Sequence, residues 1–328
     1  MKVVVTGGAG FVGLALALRL LERGSLVGPS GAGEEIDRLV LFDAQLPAER
    51  PAWLDGRVEL VAGDIADRAQ VLALVDRDDC SVFHLASVVS AGAERDFDLA
   101  LSVNLDGGRN VLEACRARAT APRLVFASTY AAFGGAAMPA VVSDTTKLTP
   151  QTTYGTTKAI CELLVNDYTR KGFLDGRTAR LPSVIIRPGA PNAAASGFAS
   201  SVFREPLGGR DYVLSVGLDL RTAVAGVRTV AEGLVRLHDT DGAALGDDRA
   251  VNFPNVSVTV GEMVESVRRV AGDRPLGQIE VQPDPATEAI VRSWPEGATF
   301  ERALALGLPR DADLDSIVRA YVEGCLPV

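Results

Sequence analysis

Short apolar, β-branched runs alternate with longer stretches of helical periodicity through the first 190 positions of this 328-residue chain. The runs are bounded by turn-forming residues and predict strands at Val3–Thr6, Arg38–Asp43, Val58–Ala62, Ser81–Ala86, Arg123–Ser128 and Ser183–Arg187. Apolar positions recurring every three to four residues predict helices over Phe11–Arg23, closed by Gly24, over Asp67–Asp76, over Asp98–Ala117 and across Thr153–Arg170. Alternating strands and helices form βαβ units, whose right-handed crossovers put helices on both faces of a parallel sheet. The fold class is therefore α/β, a Rossmann-type doubly wound parallel sheet with its ligand site across the carboxyl ends of the strands.

After Pro188 the pattern changes to small, turn-rich residues, Gly189-Ala-Pro-Asn-Ala-Ala-Ala-Ser-Gly197, with little periodicity. A helix near Thr229–His238 and a strand at Ala250–Phe253 lead back to the sheet, and Gly261–Ala271 and Asp313–Glu323 supply helices of a smaller α/β lobe. The expected division gives 1–187, with returning segments around 223–254, to the sheet domain. It leaves 188–222 and 255–328 to a substrate-binding lobe. The glycine-rich insertion Gly24–Glu35 reads as a mobile surface loop.

A hydrophobic content of 47% supports a substantial core. No apolar run approaches the roughly 20 residues that cross a bilayer, so no membrane partner is expected. The chain opens directly into a strand rather than a basic stretch and an apolar segment, which argues against a signal peptide. Its four cysteines, Cys80, Cys115, Cys161 and Cys325, form no CxxC pair and fit a reducing cytoplasm. A net charge of -9 excludes a nucleic-acid partner, because phosphate binding needs a basic surface, but it permits a small anionic ligand held by one or two local arginines. The two histidines, His84 and His238, form no cluster, and no metal site is expected. His84, inside Val82-Phe-His-Leu-Ala86, reads as a packed, hydrogen-bonded core residue.

The first strand runs straight into Gly7-x-x-Gly10-x-x-Gly13. Glycines at this spacing allow a tight turn, let backbone approach a pyrophosphate and let the next helix pack closely, so that backbone N–H groups around Gly10, Phe11, Val12 and Gly13 bind phosphate. Asp43 closes the second strand, where a carboxylate accepts hydrogen bonds from ribose hydroxyls and repels a 2′-phosphate, favouring NAD over NADP. Asp64, after the third strand, is placed to face the adenine edge.

Tyr154 and Lys158 stand four residues apart on a predicted helix and so share one face. A free tyrosine, with a pKa of about 10, is a poor base at neutral pH. A nearby ammonium and a cationic nicotinamide ring would both favour its phenolate. The fifth strand ends in Ser128-Thr129, and either hydroxyl could hydrogen-bond a substrate oxygen as charge develops on it.

Together these motifs resemble the extended branch of the short-chain dehydrogenase/reductase superfamily, the NAD-dependent epimerases and dehydratases. The resemblance rests on TGGAGFVG at 6–13, GDI at 63–65, HLA at 84–86, NLDG at 104–107, the hydroxyl-bearing strand end and YGTTK at 154–158. It implies an oxidoreductase with Thr129 as the catalytic hydroxyl beside Tyr154 and Lys158, and Asn104 holding backbone and a relay water near Lys158. It further implies that Ile65, Leu85, Ala86, Ser87 and Pro188 line the NAD site beside Asp64. Two segments, 148–168 and 187–200, resemble enzymes that oxidise the C2 hydroxyl of a four-carbon sugar acid. For such a substrate, Asn192, Ser196 and Ser200 are candidates to bind hydroxyls, and Arg187, Arg204 and Arg221 to bind the carboxylate. The alternatives are a sugar epimerase that keeps its NAD bound, a noncatalytic NAD-sensing Rossmann protein and a threonine dehydrogenase-like activity. The resemblance also implies a homodimer, paired through helices with apolar faces at Leu101, Val103 and Leu105 through Val111 and Leu112 and at Ile160, Leu163 and Leu164, a pattern that core packing explains equally well.

Overall fold

The structure, a computed structural model, describes residues 1–189 and 194–325. Seven parallel strands form the central sheet: β1 (Lys2–Thr6), β2 (Arg38–Asp43), β3 (Val58–Ala62), β4 (Cys80–His84), β5 (Arg123–Thr129), β6 (Asp175–Leu181) and, later in the chain, Ala250–Asn252. Their spatial order from one edge is Ala250–Asn252, β6, β5, β4, β1, β2, β3. The order reverses direction between β1 and β4, which opens a crevice at their carboxyl ends.

Every residue of β1 and β4 is buried, as expected for strands covered on both faces. On one face α1 (Phe11–Arg23) presents Leu16, Ala17 and Leu20 to a core that also holds Leu234 and Val235 of Val227–Asp239. Helices α2 (Gly107–Arg116) and α3 (Thr153–Arg170) cover the other face, where Val111, Cys161 and Val165 meet Val82 and Phe126. Just before α2 the helical path widens into one π-type stretch, Leu101–Asp106.

The pattern's strand at Ser183–Arg187 is absent from the central sheet; β6 occupies that place. The segment Asp175-Gly-Arg-Thr-Ala-Arg-Leu181 escapes a hydropathy reading because its buried arginines find partners. Arg177 donates to Asp175 at 3.0 Å and to the Thr240 carbonyl at 2.9 Å, and Arg180 pairs with Glu162. Ser183–Ile185 instead joins a three-stranded sheet with Arg221–Gly226 and Val256–Thr259. Around it a separate core of Val202, Phe203, Met263 and Val318 gathers the helices Phe198–Leu207, Val260–Ala271 and Leu314–Cys325.

The Gly24–Glu35 insertion is not a loop throughout. Ser25–Val27 pairs antiparallel with Gly33–Glu35, Leu26 is buried, and the Val27 N–H donates to Asp239 at 2.9 Å. Among the described residues no helix is long and apolar enough to cross a membrane.

Both histidines are buried in the sheet domain. The His84 imidazole stands 2.7 Å from the Thr6 hydroxyl, and His238 contacts Ser81 and Asp239 at 2.9 Å each. Burial pushes His84 down to about 3 and His238 down to about 4. The fold refuses protons that the unfolded imidazoles accept at about 6.5, so stability is undiminished above pH 6.5 and falls as pH drops from there toward 4. Urea unfolding at pH 7.5 and pH 4.5 should show a loss of roughly 2 kcal/mol for each histidine. Equal stability at the two pH values would rule out buried neutral imidazoles.

Candidate active site

The glycine-rich turn fits a dinucleotide. A Cβ on Gly13 would lie 2.3 Å from the Gly7 carbonyl oxygen, so only glycine lets α1 start this close to the turn. No side chain caps α1 at Gly10, and the first N–H groups of the helix are left to bind phosphate oxygens. Asp43, at the end of β2, accepts the Ala9 N–H at 3.1 Å, which sets its carboxylate beside the turn where a ribose would lie.

The reacting groups come from β5 and α3. Thr152 caps α3 by accepting the Gly155 N–H at 3.1 Å. A Cβ on Gly155 would meet the Ala131 carbonyl oxygen at 2.0 Å, so glycine brings the helix start against the end of β5. This juxtaposition brings the Thr129 hydroxyl to Tyr154, where it favours the phenolate. The Lys158 ammonium donates to the Ala127 carbonyl at 2.8 Å and lies 5.7 Å from the Tyr154 ring centroid.

Ser128 and Thr129 part company here. Ser128 donates to buried Glu162, whose other oxygen accepts Arg180 Nε at 2.9 Å and Nη2 at 2.8 Å. With its hydroxyl committed to that ion pair, Ser128 is a strut between β5 and α3, while Thr129 faces the tyrosine.

Burial pushes Tyr154 up to about 12, and the Thr129 hydrogen bond offsets this only in part. Lys158 is pushed down to about 8 by burial, moderated by Cys161 and Glu162, and remains mostly charged at neutral pH. In the protein alone desolvation dominates the tyrosine; the expectation that an ammonium and a cationic nicotinamide ring favour the phenolate concerns the site with its cofactor bound.

A cleft of about 370 Å³ connects these groups. Gly7, Gly10, Phe11, Val12, Gly13, Leu85 and Ser87 line one end, and Ser128, Thr129, Tyr154 and Lys158 the middle. Ser196, Ser200, Arg187 and Arg204 line the far wall. Several sequence candidates lie elsewhere. Asp64 is exposed and accepts the Ala66 N–H at 2.9 Å, Ile65 packs against Gly107, and Pro188 is exposed. The Ala86 N–H reaches the Thr6 hydroxyl at 3.4 Å. Asn104 is buried behind the cleft, where it accepts the Val88 N–H at 2.7 Å and donates to the Val88 carbonyl at 3.0 Å. It thereby holds the chain after β4, and it donates to the Thr157 hydroxyl at 3.3 Å, next to Lys158 on α3. Asn192 lies outside the described residues.

The arginines separate by their partners. Arg221 lies off the cleft and donates to the Ser257 carbonyl at 3.1 Å. Arg204 donates from each of its three nitrogens, to Glu205, the Arg187 carbonyl and Ser201 at 2.7 to 2.8 Å, which makes it a brace for the wall. Arg187 lines the cleft too, and its Nη1 is buried with no hydrogen-bond partner among the described residues. The cleft also includes Ser90, Thr222, Trp294 and Pro295, which the sequence pattern did not single out. Trp294, one of two tryptophans and flanked by Ser293 and Pro295 in an otherwise charged segment, was the one with a visible signal.

The model of the NAD dependent epimerase/dehydratase family matches residues 3–244. The D-erythronate dehydrogenase of Cupriavidus necator is 46% identical over 98% of this chain and 98% of its own length. That of Haemophilus influenzae is 39% identical, over 98% and 99%. The crystal structure of a nucleoside-diphosphate-sugar epimerase from Agrobacterium tumefaciens superposes with a TM-score of 0.90 at 38% identity, covering 99% of this chain and 94% of that one.

Proposed function

Because the chain belongs to the NAD dependent epimerase/dehydratase family, we propose that it is an NAD-dependent dehydrogenase that oxidises the C2 hydroxyl of D-erythronate to 2-oxo-tetronate. It is an oxidoreductase acting on a CH–OH group with an NAD-type cofactor. The preference for NAD over NADP rests on Asp43, which would repel a 2′-phosphate. When bound, NAD supplies the acceptor for the hydride leaving C2.

The observation that carries this reading is one cleft holding both a proton-transfer pair and a guanidinium with a nitrogen unpartnered among the described residues. Arg187 binds the substrate carboxylate and thereby sets C2 near Thr129 and Tyr154. Thr129 orients the C2 hydroxyl, and Tyr154, as phenolate, takes its proton. Lys158 and the positive charge of the oxidised cofactor together favour that phenolate against the burial that disfavours it. Ser196 and Ser200 are left to the remaining hydroxyls.

The substrate is small and anionic. We also read the chain as a cytoplasmic homodimer, because Phe97, Leu99, Ile160 and Leu163 form exposed apolar positions beside α3. Wild-type protein mixed with NAD and a panel of four- to six-carbon aldonates should release NADH in step with acid consumed, fastest with D-erythronate. An epimerase would convert a sugar with no net NADH, and that outcome would replace the dehydrogenase reading.

A further inference from the structure

Trp294 follows the helix Pro285–Arg292, and its surroundings fix it from both sides. Upstream, Arg292 pairs with Asp219 at 3.1 Å and Glu288 accepts the Gly217 N–H at 2.7 Å. Downstream, the Glu296 N–H donates to the Ala140 carbonyl at 2.8 Å. Trp294 itself packs against the core of the smaller lobe while forming part of the cleft wall that also includes Ser196 and Arg187.

Its ring nitrogen is buried and has no acceptor among the described residues. A buried indole N–H nearly always finds one, because leaving the donor unpaired costs free energy. An orphan donor on a rigid element in the wall of a substrate cleft is therefore satisfied by what binds there. The indole is also the largest side chain at this end of the cleft, so it limits how far a ligand can extend past the reacting carbon.

We propose that Trp294 is a specificity-determining residue: its N–H pairs with an oxygen of the bound sugar acid, and its ring sets the longest carbon chain the cleft accepts. The inference rests on the sugar-acid reading above. It adds a residue from the last quarter of the chain to a site otherwise built from the sheet and the 187–204 segment.

Two variants separate the roles. Trp294→Phe keeps the wall and removes the donor, so KM for D-erythronate should rise about tenfold while kcat and the KM for NAD hold. Trp294→Ala opens the wall, so the ratio of kcat/KM for five- or six-carbon acids over the four-carbon acid should rise at least about tenfold. Thermal melting of each variant checks folding. In Trp53→Phe protein, where exposed Trp53 is removed and Trp294 is the remaining tryptophan, the emission should change on titrating D-erythronate into the NAD complex. Unchanged KM in Trp294→Phe together with an unchanged chain-length ratio in Trp294→Ala overturns the inference, as does flat emission from a protein that turns over. Absence of NADH from wild-type protein with every acid overturns instead the sugar-acid reading on which it stands.

Discussion

Replacing Tyr154 with Phe should lower kcat for D-erythronate oxidation by about 10³-fold or more, the effect expected when a general base in direct contact with the reacting hydroxyl is lost. NAD binding should hardly change. Phenylalanine preserves the ring against which Lys158 lies, and the Ala127 carbonyl still accepts the lysine's hydrogen bond. The loss should thus fall on chemistry, visible as normal NAD titration by fluorescence with no NADH burst. Thr129→Ala removes the hydroxyl that favours the phenolate and should reduce kcat in the same sense but less. A Tyr154→Phe enzyme within tenfold of wild type would mean that the proton leaves by another route.

Arg187→Met should raise KM for the acid on the order of a hundredfold, because a charged, partly desolvated pair contributes about 3 kcal/mol. Arg187→Lys should recover only part of this, since an ammonium keeps the charge and loses the planar fork that matches a carboxylate. Arg204→Met should behave differently. Its three hydrogen bonds brace the Arg187 backbone and Ser201, so its loss should appear first as a lower melting temperature. The side-by-side measurement of KM and melting temperature decides which guanidinium is the ligand, and a normal KM in Arg187→Met excludes it.

Much of the sheet was legible because its strands are uniformly apolar and its helices strictly periodic. Arg38–Asp43, Val58–Ala62 and Phe11–Arg23 begin and end where the pattern put them, and Thr153–Arg170 is helical throughout as expected. The hairpin at Ser25–Val27 and Gly33–Glu35 was obscured by its glycines, and β6 by arginines that find partners far along the chain, Glu162 for Arg180 and the Thr240 carbonyl for Arg177. Such pairing is invisible in a local window. In the site, spacing brought out Tyr154 and Lys158, since a helix fixes which residues share a face. It could not distinguish Ser128 from Thr129, because that depends on Glu162 and Arg180 meeting the strand in space. It could not rank the arginines either, since a guanidinium with an unpartnered nitrogen and one bonded through all three look the same in sequence.

The chain passes repeatedly between its two layers: from β6 into Ser183–Ile185, from Arg221–Gly226 back through Val227–Asp239 to the sheet edge at Ala250–Asn252, and out again to Val256–Thr259. The cleft wall inherits this threading, with Arg187 coming from one excursion and Trp294 from another. Recognition therefore cannot be transplanted between homologues as a single contiguous cassette. A chimera exchanging only 183–226 would pair one parent's carboxylate ligand with the other's end wall, and new substrate ranges should arise more readily by point changes at both than by recombination at a single crossover.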